Sequence, residues 1–72
     1  MNDEILSFVV YIIHELSESW NIKPSKVYSI LMQTECIEKY LVPFYDVLHT
    51  QGTSYIVNDI KEYVAKRGVT VA

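Results

Sequence analysis

The chain has 72 residues, a formal net charge of −3 at pH 7 and a mean hydropathy of +0.12, and half of its residues are hydrophobic. A chain this short makes one domain, residues 1–72, and buries only about 60% of the surface that it exposes when unfolded. The apolar composition excludes intrinsic disorder. Cys36 is the single cysteine, which excludes an internal disulfide, and it has no Cys or His neighbour that would favour zinc. We therefore predict no metal and no cofactor, and stability that depends on helix packing and self-association.

The charge is distributed unevenly along the chain. Residues 1–22 hold four acidic and no basic side chains, giving −4, whereas residues 23–72 hold five acidic and six basic side chains, giving +1. An acidic first segment repels phosphate, so a nucleic-acid partner is disfavoured. The same segment lacks the basic start and the small-residue cleavage site of a signal peptide, and its apolar run is too short to span a bilayer. The sequence predicts a cytoplasmic protein with a free thiol and no membrane contact.

The first predicted element is a long helix over residues 3–19, with Asn2 or Asp3 as its cap. Spacings of three and four place one apolar stripe toward the core: Ile5, Phe8, Val9, Ile12, Ile13, Leu16 and Trp20. Leu6 and Val10 widen that stripe beyond half of the helix circumference. The helix is therefore predicted to be central in the domain or shared with a second copy in a two-fold dimer.

A connection over residues 20–25 precedes the second predicted helix, which ends near Thr34. Pro24 suits its first turn, and Ser25 is the predicted cap. The apolar pattern restarts after Glu35, and Pro43 disfavours helical geometry at the residue before it. We predict a short third helix, a break near Val42 and a fourth helix over residues 43–50.

The last predicted helix covers residues 54–67. Gly52 is the predicted left-handed stop of the preceding helix, Thr53 or Ser54 is the predicted cap, and Gly68 is the predicted stop. Residues 69–72 read as a tail or a docking strand. The fold class is all-α, a small bundle of four to five short helices whose C-terminal half is helix-turn-helix-like. The predicted core holds Phe8, Ile12, Leu16, Leu31, Ile37, Leu41, Phe44, Leu48, Ile56 and Ile60.

The run YDVLHTQG, followed by YIVNDIKEYV and KRG, resembles the short bacterial proteins grouped as domain of unknown function 3791. The upstream segments KVYSIL and EKYL fit the same pattern, so the resemblance extends from residue 5 to residue 68. It implies no established activity. Members of that family are often encoded next to proteins resembling ADP-ribosyltransferases, which implies an accessory, antitoxin-like or immunity-like role.

The residue pattern predicts a protein that binds a partner rather than one that catalyses a reaction. No nucleophile, base and orienting group form a plausible set, and Cys36 has the acidic neighbours Glu35 and Glu38, which favour an inert thiol with a raised pKa. We therefore predict a non-enzymatic protein-interaction module that binds a basic surface of a partner encoded nearby, with a helix-turn-helix nucleic-acid-binding regulator as the alternative. The predicted partner-binding residues are Tyr11, His14, Glu18, His49, Thr50, Gln51 and Tyr55. For the two histidines a structural interpretation is open: a helix-end bond for His49, and an i,i+4 pair with Glu18 for His14.

Overall fold

The computed structural model describes residues 2–71. Five helices follow one another, and no strand occurs within that range: α1 Asp3–Trp20, α2 Pro24–Gln33, a π-helix Ile37–Leu41, α3 Tyr45–Leu48 and α4 Thr53–Ala65. The long α1 packs against both α2 and α4. This arrangement confirms the predicted all-α bundle and places α1 at its centre.

The ends of α1 form as the sequence predicts. The Asn2 side chain accepts a hydrogen bond of 2.8 Å from the Ile5 backbone N–H, which identifies Asn2 as the cap. At the other end Asn21 adopts a left-handed conformation with φ 54°. The backbone N–H groups of Asn21 and Ile22 both donate to the Ser17 carbonyl, so the last turn keeps its hydrogen bonds as the chain reverses toward α2.

The predicted start of the second helix is wrong in one respect. Pro24 occupies its first turn as expected, but the capping residue is Lys23, whose side chain makes no capping bond, and Ser25 lies inside the helix. The first-turn proline already lacks an N–H, so one fewer donor needs a cap. The helix ends at Gln33, beside the predicted Thr34.

The buried side chains confirm most of the predicted core. They come from every helix: Val9, Ile12, Leu16, Trp20, Val27, Ile30, Leu31, Cys36, Ile37, Leu41, Leu48, Ile56, Ile60 and Val64. Phe8 is only partly buried, and Phe44 is 53% exposed, so its assignment to the core was wrong. Phe44 precedes α3 with φ −104° and ψ 17°, so it does not continue the helical spacing that predicted it to face the core.

The segment after α2 differs most from the structure that the sequence predicts. Glu35 has a φ of 59°, which a residue with a Cβ rarely adopts. The next helix is a π-helix, closed by a Val42 N–H to Ile37 O bond of 3.0 Å, and the predicted fourth helix is the single turn Tyr45–Leu48. Pro43 therefore ends one helix rather than beginning another.

Gly52 was predicted to be a left-handed stop, and this prediction is wrong. Its φ is −68° and it is the capping residue of α4, which starts at Thr53. Neither Thr53 nor Ser54 is therefore the cap, and no side chain caps α4. The four-residue link from α3 is traversed in extended and right-handed geometry, which any residue can adopt.

Gly68 confirms its prediction with a φ of 89°. Its N–H donates to the Ala65 carbonyl and the Val69 N–H donates to the Val64 carbonyl, which is the Schellman arrangement at a helix end. Val69 and Val71 then pack against the core as an irregular tail. Residue 72 of the predicted tail lies outside the described residues.

Candidate functional site

A solvent-open groove of about 440 Å³ runs between α1 and the first turns of α4. Its lining is mostly polar: Glu15, Glu18, Ser19, Thr53, Ser54, Val57 and Asn58. The carboxylates come from one outer flank of α1, and the hydroxyl and amide groups come from α4. The groove therefore offers hydrogen-bond acceptors together with an uncapped helix start.

Tyr11 joins the two walls of this groove. Its hydroxyl lies 2.8 Å from the Thr53 hydroxyl and 3.5 Å from a Glu15 carboxylate oxygen. Tyr11 and Glu15 are one turn apart on α1, so they share a face. The ring stays 48% exposed. Of the predicted site residues, Tyr11 and Glu18 are those that border the groove or its edge.

His49 and Thr50 are held by the end of α3. The His49 Nδ1–H donates to the Tyr45 carbonyl at 2.8 Å, and the Thr50 hydroxyl donates to the Val47 carbonyl at 2.8 Å. The His49 ring also stacks on Tyr45 with centroids 4.6 Å apart, and Tyr45 meets Phe8 of α1 edge-on at 5.3 Å. These hydrogen bonds provide partners for backbone carbonyls that the short helix α3 leaves unpaired. They therefore favour the structural interpretation of His49.

The other predicted site residues lie apart from the groove lining. Gln51 is exposed in the link before α4. Tyr55 is 58% exposed and one helical turn before Asp59, so it belongs to the face of α4 that meets the π-helix. His14 is exposed on α1, and no ion pair within 4 Å joins it to Glu18 in the part of the chain that the structure describes. The structure therefore does not bring the predicted surface residues together in one site.

The sequence did not reveal a second cluster, which surrounds the π-helix. The Tyr40 hydroxyl donates to the Asp59 carboxylate, and the Tyr63 hydroxyl donates to the Thr34 carbonyl at 3.2 Å. The two tyrosine rings lie 5.7 Å apart, and the Arg67 guanidinium sits 3.6 Å from the centre of the Tyr63 ring. The partner of Tyr40 lies 19 residues away, and the contact between them depends on the π-turn, so helical spacing gives no signal of it.

The ionisation of this cluster follows from burial. Burial and the bond to Asp59 raise the pKa of Tyr40 above its usual value. Burial also raises the pKa of the Cys36 thiol from 9.0 to about 12, with Arg67 opposing and Asp59 adding to the change. The predicted direction for Cys36 is confirmed, but the cause is desolvation and not the adjacent glutamates. A thiol held neutral is a poor nucleophile.

The groove carboxylates have no cationic neighbour in the lining. Within residues 2–71 one ion pair lies within 4 Å, between Glu35 and Lys39 at 3.4 Å. The same range holds no group of three or more His, Cys, Asp or Glu side chains placed to hold a metal ion. None of its helices has the length and apolar character needed to cross a membrane.

Comparison with known proteins places the chain in one family. A family model described as a protein of unknown function, DUF3791, matches residues 7–67. The chain belongs to this family. The DUF3791 match covers α1 from its second turn to the end of α4 and includes both walls of the groove. No curated protein and no solved structure matches the chain significantly.

Proposed function

We propose that the chain is a small protein-interaction module that carries out no chemistry of its own and binds a basic surface of a partner protein. The groove between α1 and α4 is the proposed contact surface. The observation that carries the proposal is the Tyr11–Thr53 contact, because it joins an acidic flank of α1 to the polar start of α4. Carboxylates without cationic neighbours at such a site favour Lys or Arg from outside.

The chemistry of the site supports binding over catalysis. The groove supplies carboxylates, hydroxyls and an amide, all of which bond an incoming guanidinium or ammonium group. The cysteine is buried and its thiol pKa is raised, and the two histidines lie outside the groove lining. A helix-turn-helix regulator is less well supported, because α3 is a single turn and the groove beside α4 is acidic.

The proposed partner is an enzyme encoded beside this chain, with the chain acting as its accessory or antitoxin-like protein. The gene neighbourhood implied by the family supports this choice. A phosphate- or dinucleotide-binding cleft is rich in basic side chains, so it has the charge that the acidic segment of residues 1–22 complements. Occupation of such a cleft would block the enzyme without any chemistry in this chain.

Co-expression with the adjacent gene product tests the proposal. We expect a complex whose association rate falls with added salt, and a Glu15→Gln/Glu18→Gln variant that weakens it at least tenfold. The matched control is Glu38→Gln/Glu62→Gln, which removes the same charge from exposed positions outside the groove lining. Equal weakening by both variants would show a general charge effect. Salt-sensitive binding to duplex DNA without any protein complex would replace the proposal with the nucleic-acid alternative.

A further inference from the structure

The outer surface of α1 carries a second stripe that the groove does not use. Asp3, Leu6, Val10 and His14 follow one another at spacings of three, four and four, which places them on one face of the helix. All four are exposed, and Leu6 and Val10 keep 50% and 45% of their surface accessible. None of the four lines the groove.

The stripe differs from the rest of α1 in what covers it. The inward apolar residues of this helix are buried or pack against the core, whereas Leu6 and Val10 remain uncovered one turn apart. Single exposed apolar residues are ordinary on a protein surface. Here Leu6 and Val10 lie between the Asp3 carboxylate at one end and the His14 imidazole at the other. The polar groups at the two ends of the stripe are therefore complementary to each other.

The stripe is complementary to a second copy of itself that runs in the opposite direction. The midpoint of Leu6 and Val10 and the midpoint of Asp3 and His14 both fall at residues 8–9. Two copies of α1 running antiparallel therefore place Leu6 against Val10 in both directions, and place each Asp3 carboxylate beside the His14 imidazole of the other copy. A parallel pair would set Asp3 against Asp3.

We propose that this stripe is a two-fold dimer contact and that its occupant is the antiparallel α1 of a second copy of this chain. The contact is isologous, which is the commonest form of homodimer. None of its residues lines the groove, His14 lies one turn from the groove residue Glu18, and neither proposal depends on the other.

The available area predicts a weak dimer. A standard interface buries about 800 Å² on each partner, which is about one sixth of the 4624 Å² surface of this chain. A single helix face of 18 residues, about 27 Å long, supplies less than that. We expect a dissociation constant on the order of tens of micromolar.

Sedimentation equilibrium of the full chain from about 10 to 500 µM, concentrations set around that constant, tests the proposal. We expect His14→Glu to weaken the dimer at least tenfold, because it sets a new carboxylate against Asp3 of the other copy. The double variant Asp3→Lys/His14→Glu should restore it, since opposite charges then meet at both ends. Circular dichroism on each variant verifies that the helices are intact.

Matched controls separate this contact from general effects. Gln33→Glu introduces a carboxylate, as His14→Glu does, at an exposed position on α2 and should leave the dimer unchanged. Val10→Ser should weaken the dimer, whereas Val47→Ser, at a residue 58% exposed on α3, should not. A wild-type chain that is monomeric up to about 500 µM, a double variant that fails to restore association, or controls that act as strongly as the stripe variants would each overturn the proposal.

Discussion

The Tyr11 hydroxyl meets the Thr53 hydroxyl at 2.8 Å across 42 residues of sequence, and it ties the middle of α1 to the first residue of α4. The bond lies at the rim of the groove. It is exposed, so water competes for both hydroxyls and its net contribution to stability is small.

Replacing Tyr11 by Phe removes this bond while keeping the ring. We expect the free energy of unfolding to fall by about 0.5–1 kcal/mol, measured by urea denaturation with the fluorescence of Trp20, which is buried in the folded chain. The control is Tyr28→Phe, at a ring of similar exposure whose hydroxyl has no bond to the described residues. An equal loss in both variants would mean that the Tyr11–Thr53 bond contributes nothing specific.

Two adjacent residues of α3 give a test of the core. Leu48 is 4% exposed and Val47 is 58% exposed. We expect Leu48→Ala to reduce the free energy of unfolding by about 2–5 kcal/mol, because it leaves a cavity between α3 and the rest of the core. Val47→Ala should change it by less than about 0.5 kcal/mol. Similar effects at the two positions would contradict the placement of α3.

The two glycines are expected to respond in opposite ways. Gly68→Ala forces a Cβ into a φ of 89°, and we expect a loss of about 1 kcal/mol. Gly52→Ser supplies the hydroxyl that α4 lacks as a cap, has open space for the side chain, and should raise stability by a few tenths of a kcal/mol. Thermal melts of the two variants measure both changes in stability. A destabilised Gly52→Ser would refute the assignment of Gly52 as the capping residue.

Alkaline pH should destabilise the fold through Cys36. The thiol pKa is about 12 in the folded chain against 9.0 for the free group, so the unfolded chain loses this proton first as the pH rises. Stability from the neutral thiol is complete below pH 9 and declines between pH 9 and 12, by about 1.4 kcal/mol per unit from this group alone. Tyr40, whose pKa is also raised, adds to the decline at the upper end of the range.

Urea denaturation at several pH values from 8 to 10 measures this decline. Cys36→Ala is the informative comparison, because it removes the titrating group; its stability should depend less steeply on pH than that of the wild type above pH 9. Parallel pH profiles for the two chains would mean that the thiol ionises equally in the folded and unfolded states.

The fold could be predicted from the sequence where local chemistry decides the geometry. The apolar spacing and the Asn2 cap defined α1, and Gly68 defined the end of α4, because each depends on residues within a few positions. Gly52 was misassigned, since a glycine most often marks a left-handed stop but also occurs at the N-cap of a helix, as here. The left-handed Glu35 and the π-helix have no local signal; packing after Thr34 imposes them.

The candidate site was less predictable than the fold. Tyr11 and Glu18 were correctly identified as outward-facing, but Thr53 and Asn58 meet them only through the packing of α4 on α1. His49 was a candidate partner-binding residue for which a helix-end bond was the open structural interpretation, and its ring makes that bond to the Tyr45 carbonyl. The groove and the cluster around the π-helix are both formed by contacts between residues far apart in sequence. Helical periodicity gives no information about such contacts.

Because of the π-helix, the local structure depends on the number of residues in one surface segment. Glu38 and Lys39 are exposed, so a loss of either side chain should matter little, yet the backbone between Ile37 and Leu41 contains one residue more than an α-helix needs for that turn. Deleting either residue would leave the number that an ordinary α-turn needs, so the turn could close with an i→i+4 bond. The buried Ile37 and Leu41, and the Tyr40 hydroxyl beside Asp59, would then keep their positions. Homologous chains that preserve this core should therefore tolerate substitutions at these two positions, and a single-residue deletion there should replace the π-turn by an α-turn.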